Sequence, residues 1–217
     1  VIGANRWKKM VEISLIVEGG DISNNIDALT ANNTESLRQA LNKFFTRLLS
    51  RDDISIKLNL GGGNKNAVKM FLNDTSHKTI LFVDSDHLDT NKWYNEDMKD
   101  FNIPEDKKEY IFFMIQEMEA WFLKQLNCLD IWAEKEGYNR KQEGDISQHS
   151  LLKNKNIEEI KKPSDKLTTI LKVYFEKKGK PAKYGKLKTA PALLDALDTS
   201  SLLPLDNELQ RFKKYNQ

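Results

Sequence analysis

Thr79-Ile80-Leu81-Phe82-Val83-Asp84-Ser85-Asp86 is the stretch that decides the fold. A short apolar run rich in β-branched and aromatic residues predicts a strand over 79–83 buried on both faces, as strands of a parallel sheet are. It ends on an acid, a serine and a second acid. Upstream, Val11–Val17 begins with apolar/polar alternation, becomes continuously apolar and stops at Glu18-Gly19-Gly20. That pattern predicts a first strand entering a core. Ile54–Leu60 alternates as a second strand, stopped by Gly61-Gly62-Gly63-Asn64, and residues 110–115 form a fourth.

Between these strands the apolar period changes to that of a helix. After a polar loop over 21–33, Thr34 and Glu35 open a helix whose Leu37, Leu41, Phe44, Phe45, Leu48 and Leu49 share one face. A shorter helix carries Ala67, Val68, Phe71 and Leu72, and another, after the fourth strand, holds Glu117, Glu119, Trp121, Phe122 and Leu123. Alternation of this kind predicts an α/β fold: a mostly parallel four-stranded sheet flanked by helices, with sites at the carboxyl ends of the strands. Beyond residue 129 the pattern reads as helical throughout: 131–136, a helix after Pro163, 190–197 and 205–215, punctuated by Pro181, Pro191 and Pro204. The expected organisation is an α/β core over 10–128 and a lysine-rich helical extension over 129–217 packed on it. Val1 to Lys9 precede Met10 and read as an appended remnant or an alternative start.

A chain of 217 residues with 39% hydrophobic and 30% charged residues can bury a core unaided, and its composition is not that of a disordered segment. No window approaches the roughly 18 apolar residues of a membrane span, and one cysteine, Cys128, excludes an internal disulfide or a Cys-rich zinc site. With no signal-like opening, a cytoplasmic setting and no membrane partner are expected. The net charge of +2 hides segregation: residues 81–119 carry eleven acids against four lysines, and 151–190 carry twelve lysines against four acids. Carboxylates for a cation next to ammonium groups for phosphates suit chemistry on a polyanion; two solvated faces of opposite sign is the plain alternative.

Acids recur where strands end: Glu18 after the first, Asp84 and Asp86 after the third, Glu117 or Glu119 after the fourth. Alternate side chains of an Asp-x-Asp at a strand end would point the same way and share a hard cation such as Mg²⁺ or Mn²⁺; capping of the next helix is the structural alternative. Gly61, Gly62 and Gly63, followed by Asn64 and Lys65, can bring backbone amides near a phosphate at a helix start, although the Gly-Lys-Ser/Thr ending of a Walker motif is missing. Lys186 is a candidate cation for a phosphoryl group. His87 is placed to touch a metal or water, His77 and His149 read as bystanders, and Cys128 and Trp121 as core.

These residues resemble the TOPRIM fold of topoisomerases, primases and OLD-type nucleases: Val17-Glu18-Gly19 after the first strand and Val83-Asp84-Ser85-Asp86 after the third. They are more closely similar to a TOPRIM-like family known as a domain of unknown function. That likeness rests on Val17-Glu18-Gly19-Gly20, Leu37-Arg38, Gly61-Gly62-Gly63, Phe82-Val83-Asp84-Ser85, the stretch from Met114 to Leu123, and Tyr184-Gly185-Lys186, and spans about 11–215. The resemblance implies a Mg²⁺-dependent phosphodiesterase, a DNA or RNA nuclease. It makes Glu18 a metal ligand or acid/base, Asp84 and Asp86 metal ligands, Glu117 or Glu119 an auxiliary ligand, and Lys186 or Lys65 a counter-charge to the phosphate. Ile22 stands where OLD-type nucleases carry a second Glu, so Asp21, Glu117 or Glu119 would have to replace it in a two-metal site. A P-loop ATPase partner in bacterial defence against phage is implied as well. The rival readings are a non-catalytic TOPRIM-like subunit binding nucleic acid or an ATPase, a nucleotide-sugar transferase using its Asp-x-Asp, and, less favoured, an Asp-x-Asp phosphatase.

Overall fold

The alternation of Val11–Val17 makes the first strand, β1, and the computed structural model, which describes residues 10–75 and 78–217, gives it a parallel neighbour on each side. The readings of Val1 to Lys9 and of His77 lie outside the described residues. β2 (Ile54–Leu60) pairs with β1 along its whole length, β3 (Thr79–Asp84) flanks the other side, and β4 (Ile111–Met114) pairs with β3. The order is β2-β1-β3-β4 and every pairing is parallel. The period of two sorts side chains onto two cores. Ile13, Leu15, Val17, Ile80, Phe82, Phe112 and Met114 face one side; Ile16, Leu81, Val83, Ile111 and Phe113 face the other.

The second side is covered by α2 (Asn64–Asn73) through Ala67, Val68 and Phe71, with Trp93 and Met98 beside it. The first side takes α1 (Ala28–Leu49) and the helical C-terminal part. Phe44, Phe45, Phe82, Phe112, Trp121 and Phe212 meet there as one aromatic cluster, Phe44 stacked on Trp121 at 4.9 Å between centroids. Each such buried side chain contributes about 1.5–3 kcal/mol relative to exposure. The sheet and the C-terminal part therefore share one core. α1 begins two turns before its expected start, because Asp27 caps it by accepting from the Thr30 amide at 2.8 Å. Those first turns bury nothing, so apolar spacing is silent there.

The C-terminal part adds a small sheet that the sequence pattern does not announce. β5 (Asn139–Arg140), β6 (Phe175–Lys177) and β7 (Lys180–Pro181) pair antiparallel in that order. Strands of two or three residues show no period, and the hairpin turns on Lys178 and Gly179, both at positive φ, the geometry of a two-residue hairpin. The helix Lys186–Ala196 packs along α1, where Arg47 donates to the Leu194 carbonyl at 2.7 Å. The helix Asn207–Tyr215 covers the free edge of β4: Glu208 accepts from the Phe113 amide at 3.0 Å and Arg211 donates to the Ile111 carbonyl. No described helix is long and apolar enough to cross a membrane.

Much of the Met114-to-Leu123 stretch is spent on this packing. Asp206, 2% exposed, accepts from the Trp121 indole at 3.1 Å, from Lys124 at 2.8 Å and from the Leu209 amide at 2.9 Å. Removing one partner of a buried ion pair costs about 3–5 kcal/mol. Asp206→Ala is therefore expected to lower unfolding free energy in urea by about 3 kcal/mol, since Lys124 keeps its bond to Glu158; a loss under about 1 kcal/mol would contradict this reading.

Candidate active site at the strand ends

β1 and β3 deliver two carboxylates to adjacent strand ends. The Glu18 amide donates to the Phe82 carbonyl at 2.9 Å, and its side-chain Oε2 accepts from the Asp84 amide at 3.0 Å. Asp84 has the parity of Ile80 and Phe82, so it points to the face covered by the C-terminal helices. There its Oδ1 accepts from the Met118 amide at 2.8 Å and its Oδ2 from Lys186 Nζ at 2.9 Å. Lys186 opens the helix Lys186–Ala196, two residues after Tyr184, whose hydroxyl donates to Glu119 Oε1 at 2.5 Å. Tyr184-Gly185-Lys186 thus brings one donor to Glu119 and one cation to Asp84. Asn64, at the start of α2, donates to the Asp84 carbonyl at 3.1 Å and accepts from the Trp93 indole at 3.0 Å, tying α2 to the end of β3.

A cleft of about 770 Å³ opens beside this cluster, lined by Glu18, Gly19, Gly20, Gly62, Gly63 and Lys186 among others. The loops after β1 and β2 are joined across it: the Gly19 amide donates to Gly62 O at 2.7 Å and the Gly62 amide to Gly19 O at 2.9 Å. Gly62 has φ +66°, and Gly61 lies so close to α2 that a Cβ would sit 2.5 Å from Ala67 Cβ and 2.7 Å from its Cα. Gly61 is a packing residue, whereas Gly62 and Gly63 line the cleft where α2 begins without a side-chain cap.

Burial and the neighbouring Asp84 carboxylate push Glu18 from its ordinary 4.5 up to about 8, against the pull of Lys186. Burial also raises Glu119, opposed by Lys186 and by the Tyr184 hydrogen bond. Asp86 is raised by partial burial and by the charges of Asp84 and Glu117. Burial works against the Lys186 ammonium, but the carboxylates of Asp84, Glu119 and Glu18 outweigh it and hold its pKa above the usual lysine range. Carboxyl groups outnumber the one ammonium, and the raised pKa values let some of them stay protonated.

With metal chelated, Glu18 holds a proton in the folded chain that the unfolded chain releases between pH 4.5 and about 8. Stability must fall as pH rises through that window. Urea unfolding of wild type and Glu18→Gln should diverge there, the variant gaining relative to wild type by pH 8; parallel curves would contradict the raised pKa.

The remaining candidates are placed differently. The strand stops at Asp84, and Asp86 takes a left-handed backbone with φ 54°, so the alternation expected to aim both aspartates one way does not reach it. Asp86 lines a neighbouring recess of about 430 Å³ with His87, Lys92, Gln116 and Lys161. Glu117 accepts from the Ser164 amide at 2.8 Å, capping the helix Pro163–Tyr174 in place of Lys162. Lys65 is exposed on α2 and does not line the cleft. His87 pairs with Asp97 at 3.0 Å, and His149 bonds the Leu151 amide. Cys128 is fully buried, its thiol pKa pushed up by burial, as suits a core residue.

Sequence spacing gave no sign of Asn64 as a strut, nor of Ser85 and Gln116. Ser85 is fully buried and accepts from the Gln116 amide at 2.9 Å, holding the turn after β3 against the end of β4. Among the described residues no three His, Cys, Asp or Glu side chains converge to hold a metal ion. The site does present more carboxyl groups than ammonium groups, and their oxygens are the donor chemistry a hard divalent cation takes once it displaces their protons. Comparison with protein-family models, curated proteins and solved structures finds no match for this chain.

Proposed function

We propose that the chain is a divalent-cation-dependent phosphodiesterase acting on nucleic acid, a nuclease of the TOPRIM type its motifs resemble. The observation that carries this reading is the gathering of Glu18, Asp84 and Glu119 around Lys186, with Glu18 and Lys186 lining a cleft together with the glycine loops. Glu18 and Asp84, with Asp86 beside them, would hold Mg²⁺ or Mn²⁺, and such an ion lowers the pKa of water and offsets charge on a phosphate. Without the ion Glu18 is raised to about 8, so binding the ion would displace its proton at neutral pH and leave a carboxylate able to accept one from water. Lys186 lines the cleft and touches Asp84, so its ammonium can meet a phosphate's developing charge. Glu119, held by Tyr184, keeps Lys186 charged and positioned. Gly62 and Gly63 allow a phosphate close approach to the start of α2.

The test is incubation of the purified chain with supercoiled plasmid, single-stranded DNA and RNA, with Mg²⁺, Mn²⁺ or chelator. Metal-dependent cleavage lost in Glu18→Gln is the expected result; no cleavage of any substrate sinks the catalytic reading for the isolated chain.

The Lys186–Asp84 pair favours a second reading, a non-catalytic subunit in which that ammonium closes the site permanently. Nucleic-acid binding that needs no metal and survives Asp84→Ala would support it. A P-loop ATPase partner in phage defence belongs to either reading through the resemblance, and stimulation of cleavage by such an ATPase with ATP is its test.

A further inference from the structure

Three recesses lie in series along the strand ends. The first is the cleft reaching Glu18 and Lys186. The second, about 430 Å³, lies past the Asp84-Ser85-Asp86 turn and is lined by the acids Asp86, Asp89 and Glu159 and by Lys92 and Lys161, so its charge is mixed. The third, about 350 Å³, is lined by Lys155, Asn156, Lys161 and Lys166. The second and third share Glu159 and Lys161 and so adjoin, while the first and second lie to either side of Asp84: Glu18, in the first, accepts from the Asp84 amide, and Asp86, two residues on, lines the second. Charge changes sign along the series. It starts at the carboxylates and ends at three lysines facing one acid, Glu159.

The lysine end is held in place. Leu152 and Ile160 are buried, the Glu158 carbonyl accepts from Gln116 at 3.3 Å, and the Glu158 carboxylate is paired with Lys124 at 2.8 Å. The Glu158 carboxylate is thereby turned toward Lys124, which it shares with Asp206, and the lysines project from a fixed platform. Preorganised cations in a groove are what a phosphate backbone recognises without regard to sequence. Volumes of about 350 and 430 Å³ are those of pockets that take a ligand the size of one nucleotide, not a duplex.

We infer that this series is the track of a single-stranded nucleic acid, with one phosphate at Glu18 and Asp84 and the flanking phosphates on Lys161, Lys166 and Lys155. The inference rests on the nuclease reading and adds to it the substrate's strandedness and path.

The experiment is fluorescence anisotropy of labelled oligothymidylate, the matching oligouridylate and the matching duplex on the whole chain in chelator, so that binding is read without cleavage. Wild type should bind either single strand more tightly than duplex, with affinity falling as salt rises. Lys161→Glu with Lys166→Glu should weaken single-strand binding about tenfold or more and flatten the salt dependence, and Lys155→Glu alone should weaken it less. Lys178→Glu with Lys180→Glu, on the hairpin outside the recesses, should change it less than about twofold. These lysines are exposed, Lys166 only partly, and the Lys155 variant reports on the track if the double variant fails to fold. Equal losses from the hairpin and track pairs, no effect of the track pair, or tighter binding of duplex would each overturn the track while leaving metal-dependent cleavage to decide the nuclease reading.

Discussion

Asp84→Ala is expected to remove divalent-cation binding, bring cleavage down to its level in chelator, and cost about 3 kcal/mol of stability. Asp84 is 6% exposed and makes two bonds that alanine cannot, from the Met118 amide and from Lys186. Alanine would strand a buried amide and leave the ammonium to Glu119 and Glu18. Asp84→Asn separates the two roles. Its amide oxygen can still accept from Met118, but its NH2 group would face the Lys186 ammonium, so it should lose about 2 kcal/mol, less than alanine, and it lacks the charge to hold a cation. Calorimetry with Mg²⁺ and urea unfolding in chelator read the two effects independently. A stable asparagine variant that still binds Mg²⁺ as tightly as wild type would remove Asp84 from the site.

Lys186→Met should act in opposite directions on stability and on metal affinity. In chelator at pH 8 the variant leaves Asp84, Glu119 and Glu18 facing one another without their cation, and an expected loss of about 2–3 kcal/mol allows for the partial exposure of the lysine. At pH 5 the loss should shrink, because Glu18 and Glu119, whose pKa values are raised, take up protons. Mg²⁺ affinity should rise by about tenfold or more, since an incoming cation no longer competes with an ammonium 2.9 Å from Asp84. Cleavage should nonetheless fall, the phosphate having lost its counter-charge. Weaker Mg²⁺ binding in the variant would mean that Lys186 organises the carboxylates instead of competing for them.

The four strands were legible because burial on both faces leaves a continuous apolar run in the first, third and fourth and half-burial leaves alternation in the second, and because Glu18 and Asp84 directly terminate two of the runs. What lay beyond the strands was not. Lys186 meets Asp84 from 102 residues away, and its helix starts at Lys186, four residues before apolar spacing marks it, with Pro191 read as punctuation though it sits inside the helix. Asp86 lost its expected alignment because one residue in left-handed backbone breaks a period of two. Glu117 looked like a fifth ligand, yet the helix it caps begins at Pro163, with Lys162 unable to cap by its side chain. A long-range cap leaves no local spacing to read. The hairpin at Lys178-Gly179 was hidden by strands too short to alternate.

The most direct measurement is calorimetric titration of the whole chain with Mg²⁺ and Mn²⁺, wild type beside Asp84→Asn. A divalent-cation centre at Glu18 and Asp84 requires saturable binding to wild type, proton release on binding at pH values below about 8, where metal-free Glu18 still holds its proton, and neither signal in the variant. Identical titrations of the two proteins, or no binding to wild type, would contradict a metal centre at these strand ends.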